Sequence, residues 1–517
     1  MEIKQTPRKH VGDVQNGTTH NVETGDIEQL ERLGYVPSNM RRNRSTRTLL
    51  FQTLAIACVP FGIGGPIISP IYGGGPIALF VGWIVVVILS ECVALSLAEF
   101  ASKYPTSAGP YYWSFQVASK CKTTLSFITG WVWLIANWTI TLSVNFGFAS
   151  LLAGTITMYN PDWEATDWQL TLLFYALLFL SALVCVYANR WLALIDTISA
   201  GLIGLTIIIV LIALSVSAKS GRHSASYALG HYEDTFSGWG NFTFFVGLLP
   251  SAYVFSALGM ISAMAEECAD PAVKVPKAMT LAVPTQGIAG LVFILPILFT
   301  LAPLEDLLAA PYGQALPVIF ASTMGTQAGG LGLMILVPLL VIFCSFSITV
   351  AASRCTWAFA RDKAIPGSRL WSHIDEKRGA PVWAILLLTI VQALLGLINL
   401  GSSSAFTAFV SVGVMALEVS YVIPVAISLF HGRRDVNSAR FTCGPIIGTI
   451  VNYIAVAWIF FQVVLFSMPT VLPVTAVTMN YASVVFVGFA AISAVWYFIH
   501  ARNVYKGPPA SDGINAN

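Results

Sequence analysis

The chain has 517 residues, of which 56% are hydrophobic and only 10% are charged, and its mean hydropathy is +0.74. Soluble domains carry about 25% charged residues, so this composition excludes an ordinary soluble protein and predicts a polytopic membrane protein. The net charge of +2 gives no reason to expect a nucleic-acid partner. The sequence has no Gly-x-x-x-x-Gly-Lys-Ser/Thr phosphate loop and no Cys-x-x-Cys pair, so no enzyme activity, cofactor or metal site is predicted.

About twelve apolar stretches have the length of roughly 20 residues that crosses a bilayer as a helix. They predict an all-α protein embedded in the lipid bilayer, with spans at 48–70, 76–98, 124–154, 168–188, 191–217, 239–265, 279–301, 331–353, 382–400, 404–430, 446–468 and 474–499. Residues 1–47 are polar and lack the apolar core of a cleavable signal peptide, so they are predicted to form a disordered tail. Residues 500–517 are predicted to form a second tail.

The basic residues lie almost entirely on one side of these spans. With the N-terminus in the cytoplasm, Lys219 and Arg222 are the only two of the 27 Lys and Arg residues on the outer side. Cytoplasmic loops carry the excess of Lys and Arg in membrane proteins, so both termini are predicted to be cytoplasmic. The plasma membrane is the expected location, with the vacuolar membrane as the alternative.

Proline and glycine interrupt the first and the sixth span. Residues 60–66 contain two prolines and three glycines, and Pro250 in span 6 is followed by small residues as far as Gly259. Interruptions at corresponding places in two halves predict an inverted-repeat secondary transporter. The repeats would be 48–217 (helices 1–5) and 218–430 (helices 6–10), with 431–499 (helices 11–12) appended. The alternative is a coincidence of kinks, since Gly and Pro are common in membrane helices.

Two acidic residues lie in the middle of predicted spans, Glu91 in span 2 and Glu418 in span 10. An acid at bilayer depth is costly unless it is protonated or paired, which makes both residues candidates for carrying a coupling proton. The alternative is a protonated structural carboxyl group bonded to a neighbouring hydroxyl. Asn137 in span 3 could supply a hydrogen bond to a substrate, although such residues more often join helices.

Three segments at predicted cytoplasmic ends resemble the amino acid–polyamine–organocation permease superfamily. Residues 98–113 are similar to its A-E-x-x-S-x-x-P-T-S-G-G-x-Y-Y-W run, with Ala108 in place of one glycine. Residues 266–277 resemble the E-E-x(8)-P-[RK] signature, and 353–366 resemble R-x-x-[YF]-A-F-A-R-D-x-A-[LI]-P. These matches keep the expected spacing across 48–500. The branch that the chain resembles most is that of the fungal amino acid, choline and GABA permeases.

This resemblance implies a LeuT-type five-plus-five inverted repeat of 12 transmembrane helices, in which helices 1 and 6 are discontinuous. It implies uptake, usually driven by protons, of an amino acid, GABA, choline or a related amine. Exposed amides at 62–65 could receive a carboxylate, and carbonyl groups freed at 255–259 could receive an ammonium group. Aromatic side chains could hold a cationic headgroup. The predicted substrate-binding residues are Gly62, Ile63, Gly64, Gly65, Asn137, Tyr253, Phe255, Ser256, Gly259 and Phe346.

The same resemblance implies structural or gating roles on the cytoplasmic side for Glu99, Glu266, Glu267, Lys277, Arg361 and Asp362. The sequence departs from the pattern of the GABA permeases at Gly259 and Ala263, where those proteins commonly have an acid and a histidine. GABA and polyamines are therefore the less expected substrates. The alternative functions are an exporter or facilitator of a specialised metabolite or polyamine, and a nutrient sensor that does not transport. The oligomeric state is not predicted.

Overall fold

The computed structural model describes residues 28, 30–35, 42, 44–219, 221–401, 405–475 and 478–509, with the backbone alone for 405–407 and 410. Most of the two predicted tails therefore lies outside the described residues. The described part of the N-terminal tail packs against the bundle, since Leu30, Leu33 and Tyr35 are each no more than 5% exposed.

Within the described residues, 12 helical segments are long and apolar enough to cross a membrane, which confirms the predicted all-α architecture. Spans 1 to 12 are Thr46–Gly64, Pro76–Lys103, Lys122–Tyr159, Asp167–Tyr187, Asn189–Ser217, Gly240–Glu267, Pro271–Phe299, Gln327–Arg361, Val382–Leu400, Ser411–Phe430, Pro445–Leu465 and Ala482–Val504. The helix of span 10 starts earlier, at Ala405. Shorter helices in the connections include Ile68–Tyr72, Pro110–Val117, Ala225–Gly230, Leu304–Leu308, Leu316–Met324 and Ser368–Trp371.

Both ends of the described chain lie on the same face of the bundle, as an even number of spans requires. The Ser126 and Tyr505 hydroxyls are 2.9 Å apart, and the Tyr112 hydroxyl donates to the carbonyl oxygen of Leu33 at 3.0 Å. We call this the terminal face. The connections between spans 3 and 4, 7 and 8, and 11 and 12 lie on the opposite face.

The last span begins later than the predicted residue 474. In the connection that precedes it, the side-chain nitrogen of Asn480 donates to the carbonyl oxygens of Phe466 (2.7 Å) and Met468 (3.1 Å). These bonds join the connection to the end of span 11, and its described residues are not helical. The apolar residues Val474, Ala476, Val477 and Met479 raise the local hydropathy, which is why the predicted span starts at 474.

The first span is broken at Cys58, before the predicted interruption at 60–66, and its second helix ends at Gly64 within that range. Its first helix is Thr46–Ala57 and its second is Val59–Gly64. Between them Cys58 has φ 39° and ψ 61°, a left-handed conformation that a non-glycine residue adopts only under constraint. Pro60 lies in the first turn of the second helix, where a missing amide proton costs nothing, so the proline follows the break.

Span 6 changes its helix type halfway. An α-helix runs over Leu249–Ser256, with Pro250 in its first turn, and a 3₁₀ helix of 11 residues continues over Ala257–Glu267. Runs of 3₁₀ helix longer than three or four residues are uncommon and often mark a hinge. The predicted interruption of span 6 is therefore a change in helical hydrogen bonding near Ser256.

Spans 2 and 7 pack so closely that a glycine is required between them. The indole nitrogen of Trp83 donates to the carbonyl oxygen of Gly287 at 2.9 Å. A Cβ atom added at Gly290 would overlap the same indole ring. We expect Gly290→Ala to lower the stability of the purified protein by about 1–3 kcal/mol, the usual cost of overpacking a core.

The matched control for this substitution is Gly201→Ala in span 5, where an added Cβ would meet no atom within 4 Å. Thermal unfolding in detergent should show a lower midpoint for Gly290→Ala and no loss for Gly201→Ala. Equal midpoints for the two variants would contradict the close approach of spans 2 and 7.

Candidate functional site

A cavity of about 470 Å³ opens on the face opposite the terminal face. It reaches down between the end of broken span 1 and the middle of broken span 6. We call this cavity the vestibule. Its lining residues are Gly65, Pro66, Ile68, Ser69, Phe146, Ser150, Asp167, Leu170, Leu249, Tyr253, Tyr312, Gly313, Gln314, Asn399, Ser411, Phe466, Met468, Thr470, Thr478 and Asn480.

Two of the predicted substrate-binding residues, Gly65 and Tyr253, line the vestibule. Tyr253 is 8% exposed, and its hydroxyl lies 3.1 Å from that of Ser143, which joins span 6 to span 3. The other eight predicted residues are not among the described lining residues. The Phe255 ring, for example, packs on Trp83 of span 2 at 5.1 Å between centroids.

The prediction of free backbone amides at 62–65 is wrong for Gly62 and Gly65. The amide of Gly62 donates to the carbonyl oxygen of Cys58 at 2.8 Å, and that of Gly65 donates to Phe61 at 2.7 Å. Because the break lies at Cys58, these glycines already belong to the next helical turns. Gly62 instead allows close packing, since an added Cβ would lie 2.7 Å from the side chain of Val254.

The carbonyl groups predicted to be free at 255–259 are also largely occupied. The Tyr421 hydroxyl of span 10 donates to the carbonyl oxygen of Ser256 at 3.1 Å and accepts from the amide of Gly259 at 3.1 Å. The Ser262 hydroxyl donates to the carbonyl oxygen of Gly259 at 2.7 Å. Neighbouring hydroxyl groups satisfy the backbone where span 6 changes helix type, as buried backbone groups require.

Asn137 does offer a free acceptor. Its amide nitrogen donates to the carbonyl oxygen of Trp133 at 2.7 Å. Its Oδ1 atom is buried and has no hydrogen-bond partner among the described residues. The Trp133 ring packs against Tyr421 at 5.7 Å, so Asn137 lies on span 3 one turn from the contact with span 10. A buried acceptor of this kind suits a ligand donor or a water molecule.

Phe346 lies away from the vestibule. Its carbonyl oxygen accepts from the Cys185 thiol at 3.6 Å, and its ring packs on Phe343 at 6.1 Å. The nearby Ser345 hydroxyl bonds to Asn145 of span 3 and, at 2.6 Å, to the Ser181 hydroxyl of span 4. This part of span 8 is therefore occupied in joining helices.

Buried ion pairs join the helix ends at the terminal face. The Arg354 Nε atom lies 2.7 Å from Glu267, and Arg44 lies 2.5 Å from Asp196 and 3.7 Å from Glu267. Arg354 also donates to the side-chain oxygen of Asn189 at 2.7 Å. We call these five residues the terminal cluster; it joins the N-terminal segment to spans 5, 6 and 8.

A second set of contacts lies on the same face beside the terminal cluster. Arg361 contacts both carboxylate oxygens of Glu266 at 3.0 Å, and its guanidinium lies 3.8 Å from the centroid of the Tyr35 ring. Asp362 accepts from the hydroxyls of Tyr35 (2.9 Å) and Tyr111 (2.7 Å). Burial raises the pKa of Asp362, and Arg361 with the two tyrosines offsets only part of this.

Two predicted terminal-face residues lie outside these contacts. Lys277 is exposed on span 7. Glu99, at the end of span 2, binds the Arg433 Nη2 atom through both carboxylate oxygens at 2.6 Å. It also accepts from the amide of Cys443 at 2.9 Å. The pair holds the connection between spans 10 and 11 against span 2.

Sequence reasoning missed the partners of these acids. Arg44, Asp196 and Arg354 were not among the predicted site residues, although Asp196 was detectable as an acid inside an apolar span. Tyr421 was not among the predicted site residues either, because its partners are backbone atoms of another span.

The two intramembrane acids differ in burial. Glu418 is 3% exposed, its Oε1 atom lies 3.2 Å from the side-chain amide group of Gln462, and its Oε2 atom has no partner among the described residues. Glu91 is partly buried, and its Oε2 atom likewise lacks a partner in the described part of the chain. Neither acid lines the vestibule. Glu418 lies one helical turn before Tyr421.

The sequence profile of the family described as amino acid permease matches residues 48–490. The amino-acid permease BAT1 of Arabidopsis thaliana is 29% identical, over 94% of this chain and 96% of that protein. The choline transporter of Saccharomyces cerevisiae is 29% identical over 96% and 88%, and the polyamine transporter TPO5 of the same yeast is 29% identical over 87% and 76%. The resemblance in the motifs is confirmed: the chain belongs to the amino acid permease family, within the amino acid–polyamine–organocation superfamily.

Proposed function

We propose that the protein is a secondary active transporter that takes up an amino acid or a related small amine by alternating access. The supporting observation is that the vestibule reaches the broken helices from one face, while buried ion pairs join the helix ends at the other. Alternating access requires one closed and one open path to a site at broken helices. The vestibule would face the exterior, because the positive-inside rule puts the termini in the cytoplasm.

The repeat architecture belongs to the same proposal. Spans 1 and 6 are both broken, five spans apart, as expected for a LeuT-type five-plus-five inverted repeat. Spans 11 and 12 would then be appended, and the plasma membrane would be the site of uptake.

The charge of the vestibule favours a substrate with an ammonium group. Among its described lining residues, Asp167 is the one charged side chain. The aromatic side chains are those of Phe146, Tyr253, Tyr312 and Phe466, and the faces of such rings attract cations. Amino acids, choline and polyamines, after which these relatives are named, all contain an ammonium group. An anion without an ammonium group would meet no basic side chain in this lining.

Uptake in a permease-deficient yeast tests the function directly. Cells expressing the protein would be given labelled amino acids, choline, GABA and polyamines, with and without a protonophore. Saturable uptake of at least one amine that the protonophore abolishes is the expected result. Uptake that ignores the protonophore would contradict proton coupling. Efflux from preloaded vesicles without uptake by cells would favour the exporter.

We expect Glu418→Gln to abolish accumulation while leaving binding nearly unchanged. Glu418 is buried with one carboxylate oxygen unpartnered, so it can gain and lose a proton without breaking an ion pair. One proton moved down a gradient of one pH unit supports about tenfold accumulation. The variant should bring the internal concentration of a labelled substrate only to the external value, while its affinity in detergent stays near that of the wild type.

Glu91→Gln is the comparison variant, because Glu91 is the other acid that was predicted to carry the proton. If Glu91→Gln loses accumulation and Glu418→Gln keeps it, Glu91 in span 2 carries the coupling proton. Full accumulation by Glu418→Gln at a steep pH gradient would exclude Glu418 from coupling.

A further inference from the structure

A single hydroxyl group binds both ends of one backbone turn in span 6. In a 3₁₀ helix the carbonyl oxygen of residue i accepts from the amide of residue i+3, which pairs Ser256 with Gly259 at the start of the 3₁₀ segment. The Tyr421 hydroxyl donates to the carbonyl oxygen of Ser256 and accepts from the amide of Gly259, both at 3.1 Å. It therefore competes with the backbone bond between them and weakens the turn at the change of helix type.

The fit of the Tyr421 ring makes this contact specific. Tyr421 is 1% exposed, and its ring packs on Trp133 of span 3. A Cβ atom added at Gly259 would overlap the ring and its hydroxyl. Gly259 is therefore the residue that lets the tyrosine reach the backbone, and no larger side chain fits there while Tyr421 stays in place.

The contact connects span 10 to the floor of the vestibule. Ser256, whose carbonyl oxygen Tyr421 binds, donates its own hydroxyl to the carbonyl oxygen of Tyr253 at 2.9 Å. Tyr253 lines the vestibule and bonds to Ser143 of span 3. A displacement of span 10 that moves the Tyr421 hydroxyl changes the turn at Ser256 and, through it, the position of Tyr253.

We propose that Tyr421 is a positioning residue that sets the geometry of the break in span 6 and so determines how tightly the substrate is held at the vestibule floor. This inference rests on the proposed transport function. It assigns to span 10 a role in substrate affinity through the backbone of span 6, without direct contact between Tyr421 and the vestibule.

Tyr421→Phe tests the proposal because it keeps the ring and removes only the hydroxyl. The KM for the labelled amine or amino acid that the wild type transports best should rise about fivefold to thirtyfold, the range for losing one or two buried hydrogen bonds. The maximal rate per transporter at the cell surface should be kept. Without the competing hydroxyl, the backbone bond between Ser256 and Gly259 should strengthen, so residues 256–259 should exchange hydrogen for deuterium more slowly in the purified variant.

The matched control is Tyr175→Phe in span 4, which also loses a hydroxyl bond to a backbone carbonyl oxygen, that of Ala393 at 2.8 Å. It should leave the KM and the exchange of 256–259 unchanged. Gly259→Ala, which displaces the ring, should raise the KM as Tyr421→Phe does.

An unchanged KM in Tyr421→Phe with wild-type surface expression and melting temperature would overturn the proposal, as would an equal rise in Tyr175→Phe. Failure of the transport function itself would look different, because the wild type would then take up no member of the panel. In that case, unchanged deuterium exchange at 256–259 in Tyr421→Phe would still overturn the positioning role.

Discussion

Replacing Arg354 by methionine is expected to lower the stability of the folded transporter by about 3–5 kcal/mol, the usual cost of leaving one buried charge without its partner. The Arg354 side chain is fully buried and contacts Glu267 and Asn189, both at 2.7 Å. Without it, the 9% exposed carboxylate of Glu267 keeps Arg44 at 3.7 Å as its described cationic neighbour. The midpoint of thermal unfolding in detergent should fall sharply, and less protein should reach the cell surface.

Two further variants separate this effect from a general effect of losing an arginine. Arg378 also forms an ion pair, with Asp375 at 2.7 Å, but its side chain is 40% exposed. Exposed pairs contribute little, so Arg378→Met should keep the wild-type midpoint. The double variant Arg354→Met/Glu267→Gln removes the stranded charge and should recover part of the loss. A wild-type midpoint for Arg354→Met alone would contradict the terminal cluster as a source of stability.

The spans were predictable because hydropathy expresses the free energy of moving side chains from water into an apolar phase, and the same free energy places a helix in the bilayer. The positions of the breaks were harder to predict. Proline and glycine marked 60–66 in span 1, yet the chain breaks at Cys58. Pro60 is suited to the first turn of a helix, so a break immediately before it would have been the better inference. Nothing in the local sequence indicates that Cys58 itself adopts a left-handed conformation.

The candidate site was less predictable, because its contacts depend on which spans are neighbours. The motifs singled out Glu266, Glu267 and Arg361, and the structure brings all of them to the terminal face. Their spacing along the chain cannot show that Glu267 pairs with Arg354 while Glu266 pairs with Arg361. The role of Tyr421 was also hidden, because a hydroxyl bound to the backbone of another span leaves no periodic pattern.

Glu99→Ala is expected to lower the stability of the folded transporter by about 3–5 kcal/mol, as Arg354→Met does, because it too leaves a buried charge without its partner. Glu99 is fully buried and holds the 1% exposed Arg433 through two oxygens at 2.6 Å. Removing the carboxylate strands a guanidinium group whose space is preserved by Gly448, since an added Cβ there would overlap it. Glu164→Ala, at an exposed position between spans 3 and 4, is the control and should melt with the wild type.

The comparison of Glu99→Ala with Arg354→Met distinguishes stability from gating. Glu99 joins span 2 to the connection between spans 10 and 11, whereas Arg354 joins span 8 to Glu267 at the end of span 6. Both variants should melt earlier, but only loss of Arg354 loosens the closed terminal face. Residual Arg354→Met transporter should therefore leak preloaded substrate faster than Glu99→Ala of equal surface abundance. Equal leak rates would mean that the terminal cluster stabilises the fold without closing the path.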